Sequence, residues 1–188
     1  AVDPFGALAN YGPDPLRWYM ITNSQPWDNL KFDEEGVKEV SRTFFGKLFQ
    51  TYNFFVTYAN EDHFTGNEPQ VEIRPEMDRW ILSELQTLIA GVTEALEDYE
   101  PTRAGRLISA FVIDNLSNWY VRLGRKRFWA GDMDDDKLSA YQTLYRCLTT
   151  VARLMAPIAP FYADSLYRDL TANADDKAPS VHLADFPQ

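Results

Sequence analysis

The chain has 188 residues, of which 45% are hydrophobic and 14% aromatic, and its formal net charge is −10 at pH 7. This length and this hydrophobic content are enough to bury a core, and they exclude a disordered polar chain. The sequence contains no run of about 18 uncharged apolar residues, so we expect no membrane partner. The acidic balance argues against DNA, and any RNA-binding surface has to be a local basic patch.

The single cysteine, Cys147, has no partner for an internal disulfide, and the N-terminus lacks the basic and apolar regions of a secretory signal. Both features favour a reducing, cytoplasmic location. The first residue is Ala1 rather than Met, which suggests a piece excised from a longer chain.

The first 31 residues predict two short helices and a loop. Asp3 and Asp14 each precede a proline, and this arrangement favours a helix start that the aspartate caps. Gly12 is expected to end the first of these helices. Turn-forming residues fill positions 23–31, so we expect a loop there.

Long segments with helical periodicity follow. In each of them apolar residues recur every three or four positions, so these residues share one face of a helix. The predicted helices are 33–60, 75–99, 101–128, a fourth that carries Leu138 to Met155, and a shorter one after Pro160 that carries Phe161, Leu166 and Leu170.

Helices that have one apolar face and are joined by short loops must bury those faces against each other. We therefore predict an all-α fold, an antiparallel bundle of about four to five long helices with a short helical N-terminal connector. The predicted domains are the connector, 1–31, and the bundle, 32–188. Within the bundle, the third helix is expected to bury Leu107, Phe111, Leu116, Trp119 and Leu123. Residues 181–183 are expected to be a strand or an extended tail.

No catalytic or metal-binding constellation is recognisable. The histidines, His63 and His182, lack a Cys or His at ligand spacing, so zinc is not expected. The acidic run 132–136 lacks the glycine and the closing glutamate of a calcium loop, and capping of the next helix explains it better. Cys147 lies in a predicted helix, where a lone thiol is more often core than nucleophile. We expect no metal, no cofactor and no enzyme active site in this chain.

One stretch of the third helix combines cations with aromatic residues. Four of the 18 basic residues fall within 122–127, namely Arg122, Arg125, Lys126 and Arg127. Arg122, Arg125 and Lys126 are spaced so that they share one stripe with Trp129 on a continuous helix. Guanidinium groups for phosphates and an aromatic ring for stacking suit single-stranded RNA loops. The alternative is that the cations stabilise the helix dipole and pair with nearby aspartates.

A second, weaker candidate lies on the first long helix. Lys38 and Arg42, together with Lys47, form a small basic group in which the first two lie one turn apart. Glu35 and Glu39 are placed to pair with them, so a solvated charged face is the simpler interpretation.

Six segments follow the pattern of a known family and span nearly the whole chain. They are 11–19 (YGPDPLRWY), 26–33 (PWDNLKFD), 78–83 (DRWILS), 116–122 (LSNWYVR), 154–161 (LMAPIAPF) and 180–183 (SVHL). The first resembles the segment after the catalytic Lys-Met-Ser-Lys-Ser loop of class Ia aminoacyl-tRNA synthetases, and the third resembles a helix start found throughout that class. The other four resemble the isoleucyl-tRNA synthetases.

The resemblance implies a tRNA-binding fragment. In this family the helical bundle packs beside the catalytic domain of the same chain and binds the anticodon stem and loop, here of isoleucine tRNA. The His-Ile-Gly-His and Lys-Met-Ser-Lys-Ser motifs do not occur in the sequence. ATP and magnesium are therefore expected to serve the parent isoleucine–tRNA ligase and not this piece. The resemblance also strengthens the case for the 122–127 cations as RNA contacts, but it assigns no residue to an anticodon base.

Two alternatives stay open. The first is the same domain from a valyl, leucyl or methionyl relative, which charging assays on the full-length parent would distinguish. The second is a non-enzymatic helical scaffold that binds proteins, since the acidic charge and the many aromatic residues fit that function about as well.

Overall fold

The structure is a computed structural model that describes residues 3–129 and 131–188. In this part of the chain the regular secondary structure is helical, without a strand. The helices are α1 (Pro4–Tyr11), α2 (Pro13–Asn23), α3 (Glu34–Val40), α4 (Gly46–Glu61), α5 (Glu76–Glu97), α6 (Pro101–Ala110), α7 (Arg122–Trp129), α8 (Asp135–Met155) and α9 (Pro160–Leu170). The predicted all-α class is confirmed.

Two of the long helices are continuous but not regular. The π-helical segment Ser41–Phe45 joins α3 to α4, and a longer one, Phe111–Val121, joins α6 to α7. The chain therefore forms uninterrupted helices over 34–61 and 101–129.

Four long helices make up the bundle: 34–61, α5, 101–129 and α8. Helix α5 packs against both 101–129 and α8, while α4 packs against the Phe111–Val121 segment and α8. The seam between α4 and 101–129 consequently lies on the opposite side of the bundle from the seam between α5 and α8.

The core confirms the predicted apolar faces of three of these helices. Leu48, Ile81, Leu85 and Leu144 are fully buried, as their periodicity predicts. These positions lie in the α-helical stretches α4, α5 and α8, where residues three and four apart stay on one face.

The predicted core face of the third helix is wrong in its second half. Trp119 and Leu123, expected inside, are 55% and 53% exposed, while Tyr120, Val121 and Phe128 are buried. The cause is the π segment, whose hydrogen bonds join residues five apart. Such a turn holds more residues than an α-turn, so the side chains that follow it are rotated relative to a regular helix.

The N-terminal segment is packed into the bundle. The Trp18 ring stacks on Phe44 with 4.3 Å between centroids, and Trp18 Nε1 donates to Ser109 Oγ at 3.0 Å. Helix α2 also approaches two glycines closely, since a Cβ at Gly36 would lie 2.4 Å from the Tyr19 ring and one at Gly105 would lie 2.6 Å from the Thr22 methyl. The boundary between 31 and 32 stays a prediction.

The two predicted aspartate caps have different outcomes. Asp3 caps α1 as expected, since its carboxylate accepts from Phe5 N at 3.2 Å and from Gly6 N at 3.0 Å. Asp14 does not cap α2, because that helix already begins at Pro13. Its buried carboxylate instead accepts from Tyr162 N in the first turn of α9, where backbone N–H groups lack helical partners.

The C-terminal prediction also needs correction. Residues Val181–Leu183 form one 3-10 turn and not a strand or an extended tail. Asp164 Oδ1 accepts from Val181 N at 2.9 Å, and Ser180 Oγ accepts from His182 N at 3.3 Å. These side chains satisfy the backbone locally, so the segment has no need of a neighbouring strand.

Candidate nucleic-acid interface

The cations of α7 fall into two environments. Arg122, Arg125 and Lys126 are exposed, and Trp129 beside them is 54% exposed. Within residues 3–129 and 131–188, no carboxylate lies within 4.0 Å of these three cations. Their charges are therefore not neutralised by any described acid.

Two of these cations line a shallow groove between α4 and the 101–129 helix. We call it the basic groove, and its polar lining includes Lys47, Asn118, Arg122 and Arg125. Lys47 Nζ donates to Asn118 Oδ1 at 3.2 Å, which links the two helices across the groove. The structure thus brings together cations that are 75 and 78 positions apart in sequence.

Exposed rings and an aliphatic side chain lie on the same stretch of helix. Trp119 and Leu123 are exposed because of the π segment, and Trp129 lies near Tyr58, with 6.4 Å between ring centroids. Sequence reasoning missed Trp119 as a surface residue, and no local signal in the sequence marks the π segment. Lys47 was noted in the sequence, but its place beside Arg122 follows only from the packing of α4.

Arg127 has a different role from its neighbours. Its Nη1 and Nη2 donate to Asp78 Oδ1 and Oδ2 at 2.6 and 2.9 Å, and its Nε donates to Asp136 Oδ2 at 2.9 Å. The side chain is only 17% exposed. The predicted pairing of this end of the helix with aspartates therefore holds for Arg127, whose guanidinium is occupied inside the protein.

Asp78 is the centre of this buried network, which we call the Asp78 clamp (Asp78, Tyr120, Arg127, Ser139). Tyr120 OH and Ser139 Oγ also donate to the carboxylate, at 2.8 and 2.5 Å. Burial by itself raises the pKa of Asp78, but the hydrogen bonds from Arg127, Ser139 and Tyr120 outweigh it and lower the pKa below its ordinary value. The carboxylate is therefore ionised and paired at neutral pH.

The weaker candidates are paired on the surface. Lys38 bonds to Glu35, and Arg42 bonds to Glu39, each within one turn of the helix. Neither lies in the lining of the basic groove. Their arrangement is the solvated charged face that the sequence favoured, and RNA contact by either of them stays a prediction.

The described part of the chain offers no group of three or more acidic, histidine or cysteine side chains placed to hold a metal ion. Cys147 is fully buried, and burial raises the pKa of its thiol well above the ordinary value. Over the same residues, no helix is both long and apolar enough to cross a membrane.

A separate apolar surface lies at the N-terminal helices. A groove of about 710 Å³ is bounded by α1, α2 and the start of α9, and we call it the apolar groove. Its lining includes Leu8, Met20 and Phe161, all of them exposed. Phe161 was predicted to belong to the apolar face of α9, and its exposure corrects that prediction, because the helix begins there at the edge of the bundle.

Comparison with known proteins identifies the domain. The family model described as the anticodon-binding domain of tRNA ligase matches residues 78–188. Isoleucine–tRNA ligases from Porphyromonas gingivalis and Bacteroides thetaiotaomicron are 68% and 65% identical to the chain over its full length. The chain spans 16% of the length of each of these relatives.

A solved structure supports the fold independently. The LeuRS of the Agrobacterium radiobacter K84 LeuRS-tRNA-LeuAMS ternary complex superposes with a TM-score of 0.70 at 19% identity, covering 99% of this chain and 20% of the other. At that identity the likeness concerns the fold alone. Because the family model covers more than half of the sequence, the chain belongs to the anticodon-binding domains of tRNA ligases.

Proposed function

We propose that this chain binds the anticodon stem and loop of isoleucine tRNA as part of an isoleucine–tRNA ligase. Support comes from the domain family and from full-length matches of 68% and 65% identity to isoleucine–tRNA ligases. The ligation itself, with its ATP and magnesium, is assigned to the rest of the longer protein, since the chain spans 16% of those relatives. The cytoplasmic location expected from the sequence stays a prediction.

The observation that carries the proposal is the basic groove with its neighbouring rings. Arg122, Arg125 and Lys126 are exposed and unpaired in the described structure of a chain whose net charge is −10. An RNA phosphate that approaches such a cation does not have to displace a carboxylate, and neutralised phosphates release counterions. Trp119 and Trp129 offer the flat surfaces on which unpaired bases stack. Arg127 is left out of this proposed surface because the Asp78 clamp occupies it.

Fluorescence anisotropy with labelled isoleucine tRNA, at two or more salt concentrations, tests the proposal. The variant carrying Arg122→Ala, Arg125→Ala and Lys126→Ala is compared with the unaltered chain. Each phosphate contact contributes about 0.7–0.9 to the slope of log K against log salt, so the three substitutions should reduce that slope by about 2. The matched control removes three exposed cations elsewhere, with Arg103→Ala, Arg168→Ala and Lys177→Ala.

Each outcome has a definite meaning. Equal weakening by both triple variants would show that total charge matters and that the basic groove does not. If unlabelled valine, leucine or methionine tRNA competes as effectively as isoleucine tRNA, the domain of a valyl, leucyl or methionyl relative is favoured instead. Absence of saturable binding by the folded chain would count against RNA binding and favour the protein-binding scaffold.

For the apolar groove we propose contact with the catalytic part of the longer protein. Its exposed apolar residues, with Phe161 at 66% and Met20 at 45%, form a surface of the kind that mediates protein contacts. The relatives have several times the length of this chain to supply that contact. Phe161→Glu should lower the stability of the longer protein while leaving the 188-residue chain nearly unchanged. Equal effects in both would contradict the contact.

The proposed division of labour has its own test. The purified 188-residue chain should neither activate isoleucine nor exchange pyrophosphate with ATP, because its sequence contains neither the His-Ile-Gly-His nor the Lys-Met-Ser-Lys-Ser motif and its described residues place no group that could hold a metal ion. Pyrophosphate exchange above background that persists through further purification of the chain would contradict this assignment.

A further inference from the structure

The seam between α5 and α8, opposite the basic groove, opens into a hollow of about 400 Å³. One face of α8 forms its floor, with Arg146, Thr150 and Arg153 at spacings of four and three residues, so the three side chains share that face. Ile89 of α5 and the C-terminal segment 185–188 form the walls. Its volume lies in the range of small-ligand sites, about 300–1,000 Å³.

The hydrogen-bond donors in this hollow lack partners. Arg153 Nε is buried and has no hydrogen-bond acceptor in the described structure. Thr150 is only 2% exposed as a residue, and its hydroxyl, which still reaches the hollow's surface, makes no hydrogen bond to a described residue; the buried donor without a partner is Arg153 Nε alone. Across 3–129 and 131–188, neither Arg146 nor Arg153 has a carboxylate within 4.0 Å. Buried donors without partners are rare in native proteins, and each one calls for an explanation.

The chemistry of these groups selects an anion with several oxygens. Guanidinium groups donate from a planar fork that matches phosphate oxygens, and charge-assisted hydrogen bonds of this kind are among the strongest in proteins. The hydroxyl of Thr150 adds a third donor between the two arginines. Asp185 is an acid in the lining and opposes an anion, but it does not lie within ion-pair distance of either arginine.

We propose that this hollow binds a phosphate group through Arg146, Thr150 and Arg153. The phosphate comes either from a small phosphate ester or from the backbone of an RNA that reaches this side of the bundle. The site lies on the opposite seam from the basic groove, so the proposal does not rest on the proposed RNA-binding function.

Titration of the 188-residue chain with inorganic phosphate, at constant pH and ionic strength, tests the site. Arginine side-chain Nε–Hε signals are followed by NMR, and Arg153 should shift saturably while Arg168 does not. Arg153→Gln and Arg146→Gln should each weaken binding about tenfold or more, since each removes a charge-assisted hydrogen bond. Asp185→Asn should tighten binding. Arg168→Gln, which removes an exposed arginine outside the hollow, is the matched control.

Further measurements distinguish the two possible sources of the phosphate group and define the results that would overturn the proposal. A shift of the Arg153 signal on addition of isoleucine tRNA, lost with Arg153→Gln, assigns the phosphate to RNA. A response to inorganic phosphate alone assigns it to a small ester. Binding should persist in the variant with Arg122→Ala, Arg125→Ala and Lys126→Ala, whatever happens to its RNA affinity. Uniform, unsaturated shifts of all arginines, or unchanged affinity in Arg146→Gln protein with an unaltered melting temperature, would overturn the proposal.

Discussion

Arg127 and Arg125 lie two residues apart on one helix, yet one is built into the fold and the other faces solvent. Arg127 is held by the fully buried Asp78, while Arg125 lines the basic groove without an acidic partner in the described chain. The rotation of the side chains that follow the π segment determines which cation points into the protein. A cluster of basic residues in a sequence therefore indicates a candidate binding surface. Which of those cations can bind a ligand depends on whether a carboxylate from a distant part of the chain pairs with them.

The largest effect should come from breaking the Asp78 clamp. Arg127→Met leaves the Asp78 carboxylate buried without its counter-charge, so we expect the free energy of unfolding to fall by about 3–5 kcal/mol. Urea denaturation measures this change. Lys126→Met, at an exposed neighbouring position, is the control and should change stability by less than about 0.5 kcal/mol. Similar losses in the two variants would remove the distinction between the two kinds of cation.

The exposed rings should matter for RNA and little for folding. Trp119→Ala is expected to weaken binding of isoleucine tRNA by about 1–3 kcal/mol, the range for loss of a base–aromatic stack. The buried neighbour supplies the contrast, since Tyr120→Phe removes one hydrogen bond to Asp78 and should lower stability while RNA affinity per folded molecule stays the same. Anisotropy and urea denaturation on both variants measure the two effects. A large stability loss in Trp119→Ala would contradict its surface position.

The dependence of the free energy of unfolding on pH below 7 should also distinguish the buried Arg127 from the exposed cations. The pKa of Asp78 lies below its ordinary value of 3.8, so its contribution to the free energy of unfolding is present above about pH 4 and is lost as pH falls through the folded pKa. In Arg127→Met, burial should raise that pKa instead. The stability deficit of this variant should then shrink as pH falls from 7 towards 4. Denaturation midpoints across that range test the sign, and a constant deficit would contradict it.

The smallest effect should be at the paired surface cations. Removal of both with Lys38→Ala and Arg42→Ala breaks two exposed ion pairs within single helical turns, and because solvent screens such pairs the free energy of unfolding should hardly change. RNA affinity should fall far less than with the three substitutions at Arg122, Arg125 and Lys126. A comparable fall would extend the RNA surface along α3.

How much the sequence predicts depends on the geometry of each helix. The apolar stripes of α5 and α8 are correctly predicted, because a regular period needs only local information. The stripe of 101–129 is predicted as far as Leu116 and then fails at Trp119, since hydrogen bonds of a π segment leave no compositional mark. Asp14 was assigned to its own helix, whereas its partner, Tyr162 N, is 148 positions away.

The candidate site divides in the same way. The sequence identified Arg122, Arg125 and Lys126 as a local cluster, and their exposure agrees with that prediction. It could not place Arg127, because the deciding contact with Asp78 spans 49 positions. Nor could it place Lys47 beside Arg122, since that neighbourhood depends on how α4 packs. Pairings over such separations depend on the tertiary fold.

Two glycines, which have no side chain, allow α2 to pack closely against its neighbouring helices. Gly36 and Gly105 leave room for Tyr19 and Thr22, and each added methyl group would overlap them. One glycine lies in α3 and the other in α6, and both face α2. An added carbon at either position would therefore force the Tyr19 ring or the Thr22 methyl group to move away from the neighbouring helix.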